Sequence, residues 1–417
     1  MRLLHTSDWH LGRSFHGVGM LDAQRAFIAQ LVDFVREQSV DVVLIAGDVY
    51  DRALPGLDVV KLLDEALVGI TGAGAQVVLT SGNHDSAIRL GFASRLLERG
   101  GVHLRTRVEE LDSPVLFSLG EEGPRVVGAA EDPGGHAGRD HSGPDHPGPD
   151  HPGALLAVYG IPYLEPRLVA GKLKAAAHHF DVTRAAVERI RADLAARRGA
   201  TSVHAVVLAH TFASGGITSD SERELSIGGL GAVPLDLFEG FAYTALGHLH
   251  GRQELAPNVR YSGSPLAYSF SESKHRKGAW LLDVGPDGLA GVTEVLWQAP
   301  RELAVLRGRL AELLESPELS WAESAYCQVT LTDPVRPPQA MEQLRTRFPD
   351  TLVLGFEPEG GAEKGKISYS SRVAGAQDDL GVCCGFLDHV RGRAAGDQET
   401  AALREALEAV RLEGAEL

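Results

Sequence analysis

Along roughly the first 100 residues, short apolar runs alternate with longer stretches in which apolar positions recur every third or fourth residue. Residues 2–7 read as a strand, 23–37 as a helix and 42–46 (VVLIA) as a short buried strand. A second helical pattern covers 57–70, a third strand 76–80 (QVVLT), and a further helix 86–99, closed by Gly100 and Gly101. Strand–helix–strand at this spacing predicts a largely parallel sheet with helices on its faces. Functional loops in such a sheet gather at the carboxyl ends of the strands.

The pattern stops at residues 131–153 (EDPGGHAGRDHSGPDHPGPDHPG), where a five-residue repeat sets His136, His141, His146 and His151 in register. Four histidines invite a metal-binding reading. Pro and Gly at this density supply neither a core nor a fixed geometry, so a disordered surface insertion is expected. Beyond it, strands are predicted at 155–159, 204–209 and 243–246, a helix at 182–198, and an antiparallel pair at 278–284 and 292–297. The composition changes near residue 301: helix 302–314, strand 326–332, helix 339–347 and strand 351–356 suggest a small α+β domain. Two amphipathic helices end the chain behind a polar linker at 368–379. The expected organisation is an α/β domain over 1–298, a small α+β capping domain over 299–367, and a linker with a helical tail over 368–417.

Composition narrows the function. Of 417 residues, 44% are hydrophobic and 23% charged, an ordinary globular balance. The net charge of −16 is awkward for a protein that holds nucleic acid mainly through its own phosphate contacts. A nucleic-acid substrate would have to be gripped locally, by metal ions, or with a more basic partner. Cys327, Cys383 and Cys384 are too few and badly spaced for a disulfide framework, which points to a reducing compartment. No apolar run approaches the ~20 residues that span a bilayer. A chemical motif as early as Asp8 argues against a cleaved leader, so a cytoplasmic protein is expected.

Five short segments carry candidate chemistry: Asp8-Trp9-His10, Gly47-Asp48, Gly82-Asn83-His84-Asp85, Ala209-His210 and Gly247-His248-Leu249-His250. Each follows an apolar strand, so each presents its polar side chains from a rigid element. Residues spaced i, i+2 on extended backbone point to the same side. Carboxylate, imidazole and amide oxygen together make a mixed O/N donor set for Mn, Fe, Zn or Co. Asp8, His10, Asp48, Asn83, His210, His248 and His250 are too many for one ion and suit two, with a carboxylate able to bridge them. Any one of these motifs is weak alone; the argument lies in their conjunction.

In this order the motifs resemble the calcineurin-like metallophosphoesterases. The strings HTSDWHLG, AGDVYD, SGNHDS, DSERELSIGGLGAV, FAYTALGHLH and RYSGSPLAYSFSE are similar to those of the nuclease subunits among them, from Met1 to about Val284. The resemblance implies a metallophosphoesterase sandwich, sheets flanked by helices. It implies that Asp8, His10 and His250 hold one ion, that Asn83, His210 and His248 hold the other, and that Asp48 bridges. Mn²⁺ is the implied metal. His84 would stand beside the scissile phosphate, stabilising charge or protonating the leaving oxygen. Asp85 would either orient His84 or serve as a helix N-terminal carboxylate. Asp51 stands where some relatives carry a catalytic His; an Asp is no cation at neutral pH, so that role is not transferred. His5 and His16 fit no ligand position and are read as structural.

Candidate DNA contacts are Arg223, in the Ser/Gly-rich loop 218–229, and the basic cluster Lys274, Arg276 and Lys277. In the tail, Phe386, Leu387 and Val390 share a face of the first helix with Val382 and Cys383. Leu403, Leu407 and Val410 form a face of the second. The resemblance implies that these faces grip the coiled-coil base of an ATPase partner, within an assembly of two nuclease subunits. The expected function is manganese-dependent exo- and endonucleolytic cleavage of DNA at double-strand ends and hairpins. A phosphoesterase for small substrates and a non-catalytic scaffold on DNA ends are the rivals. The 218–229 loop and the cap argue against the first, and the full ligand set with His84 against the second.

Overall fold

A computed structural model describes residues 1–119, 126–127, 154–198, 202–222, 231–359, 379–391 and 394–413. The insertion 131–153, Arg223 and most of the linker 368–379 lie outside them, as do the side chains of Val390 and Val410.

The chain opens with β1 (Arg2–Thr6), the hairpin β2 (Ser14–Phe15) and β3 (Val18–Gly19), helix α1 (Leu21–Glu37) and β4 (Val42–Ala46). Helix α2 (Leu57–Gly72), β5 (Gln76–Thr80), the short helices α3 (Ala87–Leu90) and α4 (Ser94–Leu97), β6 (Val102–Leu104) and β7 (Val115–Ser118) follow. Next come β8 (Leu155–Ile161), α5 (Pro166–Leu173), α6 (His179–Arg197), β9 (Val203–His210) and β10 (Tyr243–Gly247). Strands β11 (Gln253–Ala256), β12 (Val259–Tyr261), β13 (Gly278–Gly285) and β14 (Gly288–Leu296) complete this part.

These strands form two six-stranded sheets, β14-β13-β1-β4-β5-β6 and β11-β12-β10-β9-β8-β7. In the first, β1, β4, β5 and β6 run parallel, and β13 and β14 add antiparallel to the edge. In the second, β8, β9, β10 and β12 are parallel, with β7 and β11 antiparallel. Every residue of β4 is buried because both faces of its sheet are covered. Leu44, Ala46 and Val78 meet Val158, Val206 and Leu208 between the sheets. On the outer faces, Val43 and Ile45 pack with Phe27 and Leu31 of α1 and Leu62 of α2. Ala205 and Val207 pack with Val187 and Ile190 of α6. The fold is therefore the expected sandwich of sheets flanked by helices, but with two mixed sheets instead of one largely parallel one.

Two expected helices are corrected. Residues 86–99 break into α3 and α4, because Gly91 packs against Thr106 and Ala93 turns to φ 60°. Residues 302–314 begin as a strand, β15 (Leu303–Gly308), followed by the short helix α7 (Leu310–Glu315). Ala304 and Leu306 are buried while Val305 and Arg307 are exposed, a period of two beneath helix-favouring composition. Strands β16 (Tyr326–Leu331) and β17 (Thr351–Phe356) join β15 in a three-stranded sheet with β16 central, and α8 (Ala340–Arg347) lies between them in sequence. The chain divides into two compact units. One is Met1–Leu306 with Ser316–Val329 and Gln343–Leu354, the other Arg307–Glu315 with Thr330–Glu342 and Gly355–Leu417. In the second unit, α9 (Asp379–Arg391) and α10 (Asp397–Glu413) pack on one another. No helix among the described residues is long and apolar enough to cross a membrane.

Ser118 and Leu155, either side of the insertion, are register partners in β7 and β8. Deleting residues 134–152 therefore shortens the connection between these strands and removes no described element. Halving a loop changes its closure cost by only about 0.6 kcal/mol. The deletion protein should melt within a few degrees of the parent and keep full activity; loss of a metal ion needed for activity would refute the surface-insertion reading.

Candidate metal centre

The polar segments leave the carboxyl ends of β1, β4 and β5 in one sheet and of β9 and β10 in the other, and they meet there. Backbone bonds tie them together: Asp8 N–H donates to the Gly47 carbonyl at 3.1 Å and His10 N–H to the Asp48 carbonyl at 2.9 Å. Asp8, His10, Asp48 and His248 all take positive φ (53°, 45°, 48° and 113°). Non-glycine residues rarely adopt this conformation, and strain of this kind concentrates at functional sites. The turns need their glycines: a Cβ at Gly82 would overlap Asp48, and one at Gly247 the Ala46 carbonyl.

Two sets of donors result. His10 Nε2 lies 3.0 Å from His250 Nε2, and Asp8, His10 and His250 hold ligand atoms within 4.8 Å of one another. Asn83 Oδ1 lies 3.0 Å from His210 Nε2 and 3.1 Å from His248 Nδ1, and those two nitrogens are 3.3 Å apart. Asp48 Oδ2 stands between the sets, 3.6 Å from His10 Nε2 and 3.3 Å from His210 Nε2. Asp8, His10, Asp48, His210, His248 and His250 are buried, and Asn83 is partly so.

This arrangement fits divalent cations. Imidazole nitrogens converge at 3.0 and 3.3 Å beside the buried carboxylates of Asp8 and Asp48, a clustering of electron-pair donors that suits a cation. The charge balance agrees. Burial lifts Asp8 to about 6. Burial opposes a charge on His210, yet Asp48 and Asp8 push it up to about 9. Burial would raise Asp48, but His210 holds it well below the usual carboxylate range. Burial takes His248 down to about 3, with His210 adding to it, and depresses His10. In the protein alone the His210 imidazolium answers the carboxylates, while His10 and His248 keep their lone pairs for a cation.

Bonds behind these groups set their orientation. His210 Nδ1 pairs with the Ala46 carbonyl at 2.9 Å, so Nε2 faces Asn83 and Asp48. Ser7 Oγ donates to Asp8 Oδ2 at 2.5 Å, and the His248 N–H to Asp8 Oδ1 at 3.0 Å. His84 N–H donates to Asp48 Oδ1 at 2.9 Å, and its ring lies edge-on to His10 with centroids 4.8 Å apart.

Several expectations are corrected. Asp85 does not orient the His84 ring. Its carboxylate accepts the backbone N–H groups of Val49, Tyr50 and Gly82 at 2.9–3.1 Å, holding the Asp48 turn against the Asn83 turn. The His84 Nδ1 instead pairs with the Asp51 carbonyl at 2.9 Å. Lys277 is no DNA contact: it is buried, and its ammonium donates to the His250 carbonyl, Ser264 and Glu272. Lys274 and Arg276 are exposed, Arg276 at 3.9 Å from Glu294. Asp51 lies 3.7 Å from His10 Nδ1 and 3.8 Å from Arg13. His5 is a buried structural group, paired with Tyr243 Oη and the Leu246 carbonyl, while His16 is exposed beside Phe15 and Phe270. Sequence reasoning missed Glu222 and Glu272, both buried against His250; the strings containing them were visible, their contacts were not.

Two known protein families match parts of the chain. Residues 1–161 match the family described as calcineurin-like phosphoesterase. Residues 299–374 match the SbcD C-terminal family, described as type 5 capsule protein repressor C-terminal domain. The chain is 27% identical over 356 residues to the SbcD subunit of the nuclease SbcCD from Staphylococcus epidermidis, covering 85% of each protein. Among solved structures, TT1561 of Thermus thermophilus is 14% identical over 70% of this chain and 98% of its own, with a TM-score of 0.36. A dimetal phosphatase from Danio rerio is 10% identical over 72% of this chain and 99% of its own, with a TM-score of 0.37. Its N-terminal part is thus a calcineurin-like phosphoesterase domain, and the chain is a metal-dependent hydrolase acting on phosphodiester bonds.

Proposed function

We propose that this phosphoesterase is a DNA nuclease of the SbcCD type, cutting phosphodiester bonds exo- and endonucleolytically with Mn²⁺ in the cytoplasm. The observation that carries the reading is Asp48 Oδ2, set between His10 and His210 at 3.6 and 3.3 Å with a donor set on either side. Asp8, His10 and His250 would hold one cation, Asn83, His210 and His248 the other, and Asp48 both. Two divalent cations there would supply the positive charge that offsets the charge developing on a phosphoryl group during in-line displacement. His84 sits beside this pair of sites with Nδ1 engaged by the Asp51 carbonyl, which reserves Nε2 for the substrate. Similarity over 85% of the chain to a nuclease subunit favours DNA over a small ester.

The test offers purified protein and Mn²⁺ linear duplex DNA, a chromogenic phosphodiester and a phosphomonoester. Cleavage of the first two is expected. Hydrolysis of the monoester alone, or of nothing, would sink the reading.

The proposed partners are an SbcC-type ATPase and DNA ends or hairpins, with two copies of this chain in a heterotetramer. A homodimer is supported by Leu54, Leu57, Ile88, Phe92 and Leu96, all more than two-thirds exposed. Arg89 links their two segments through the Ala53 carbonyl at 3.0 Å. The cations and the ATPase would supply the positive potential that a chain of net charge −16 lacks. For the ATPase we assign the tail helices: Phe386 is 51% exposed, and Leu387, Leu403 and Leu407 are half-buried. Truncating Phe386 and Leu407 together to Ala should weaken SbcC capture at least tenfold, as loss of interface anchors costs about 2 kcal/mol each. Metal binding and small-diester hydrolysis should persist. A pull-down showing intact capture, or a melt lowered by many degrees, would assign these helices to the protein's own core.

A further inference from the structure

Two buried carboxylates behind the metal centre have no role in the chemistry proposed above. Glu222 Oε1 accepts the His250 backbone N–H at 2.5 Å, while its Oε2 accepts the Ser219 N–H and hydroxyl at 2.5 and 2.7 Å. Glu272 Oε1 lies 3.3 Å from His250 Nδ1 and accepts the Ser221 hydroxyl at 2.6 Å. Glu272 Oε2 accepts from Lys277 Nζ at 2.5 Å. That ammonium also donates to the His250 carbonyl at 2.9 Å and to Ser264 Oγ at 2.8 Å. One network thus grips the N–H, the carbonyl and the ring of a single histidine. Glu222, Glu272 and Lys277 are each less than a tenth exposed.

We propose that Glu222, Glu272 and Lys277 are positioning residues that couple the seating of the Ser219–Glu222 turn to cation retention through His250. The inference rests on the ligand role given to His250 above. A carboxylate at Nδ1 holds the ring proton there and leaves the Nε2 lone pair for a cation, which also strengthens the ring as a ligand. Lys277 lets Glu272 do this inside the protein, where an unpaired carboxylate would be costly.

Glu222 closes this turn from within and Glu272 holds it from outside; the turn lies in the chain between β9 and β10. The donors of Ser219 and the hydroxyl of Ser221 are spent on them, and Asp220 N–H is anchored to Ser271 Oγ at 3.0 Å. If the turn lifts, Glu222 leaves the His250 N–H with it, and Glu272 loses the Ser221 hydroxyl that helps keep it facing His250. By linkage, a cation on His250 must then favour the seated turn by the same factor that the seated turn favours the cation.

The test uses the full chain, stripped of metal and titrated with Mn²⁺ by calorimetry, with no DNA present. Glu272→Gln/Lys277→Met removes the buried pair together and leaves no lone charge. This variant should melt within a few degrees of the metal-free parent yet bind Mn²⁺ about 10–100-fold more weakly at one site. Glu222→Gln should show the same direction. It also supplies the affinity measurement should the double variant not fold. Amide exchange reads the coupling: Mn²⁺ should slow exchange at Ser219 and Ser221 in the parent and not in Glu222→Gln. Unchanged affinity in the variants, or exchange in the parent that ignores Mn²⁺, would overturn the proposal. No nuclease readout is involved, so its failure is distinguishable from failure of the nuclease assignment.

Discussion

Asp48→Ala is expected to abolish binding of both metal ions and reduce hydrolysis at least about 10³-fold. Asp48 Oδ2 faces both donor sets, and Oδ1 accepts the His84 N–H at 2.9 Å, so in the proposed centre one carboxylate would organise both cation sites and the His84 turn. Losing both cations forfeits several kcal/mol of charge stabilisation, and each 1.36 kcal/mol is about tenfold in rate. Asp48→Asn separates charge from shape. Its amide oxygen can still accept the His84 N–H, but a neutral amide cannot bridge two cations, so it should resemble the Ala variant. Calorimetry is the check. One undisturbed high-affinity site in either variant would remove Asp48 from the bridging position.

His84→Gln should behave in the opposite way, keeping both metals while turnover falls about 10²–10⁴-fold, the usual contribution of a positioned acid or base. The Asp51 carbonyl, 2.9 Å from Nδ1, fixes the ring and holds a proton on that nitrogen. The free function of the ring is then Nε2, to accept a proton or, when charged, to donate one to a leaving oxygen. His10, Asp48 and His84 also bring ligand atoms within 4.8 Å of one another, so a rival role as metal ligand is geometrically open. Metal content decides between them: a variant that loses an ion makes His84 a ligand, and one that keeps full activity makes it a bystander. Activity lost with metals retained is the expected result.

The candidate ligands were legible because the chemistry restricts residue type and the fold restricts position. An Asp, Asn or His one to four residues beyond an apolar strand stands out against the turn residues usual there. The supporting groups were not legible. Lys277 reads in sequence as part of a basic cluster, yet its charge is spent on Glu272 and on the His250 carbonyl. Asp85 sits next to His84 in the chain, and neighbourhood suggested a bond between them; the carboxylate instead serves Val49 and Tyr50, across the crevice. The strand Leu303–Gly308 was hidden by residues that favour helices, and its alternation shows only in the folded sheet, where Ala304 and Leu306 are buried.

What the amino-acid order determined by itself were the properties of short segments: which runs bury both faces, where strands end, and which side chains can ligate a cation. Hydrophobic period and donor chemistry are local, so no partner is needed to read them. Only the tertiary structure decided how those segments divide between two sheets, since β1 takes its neighbours from Val42–Ala46 on one side and Gly278–Gly285 on the other, more than 200 residues apart in the chain. It alone decided which carboxylate answers which cation. A buried charge must find a partner wherever packing delivers one, and packing brought Lys277 to Glu272 and the His250 N–H to Glu222.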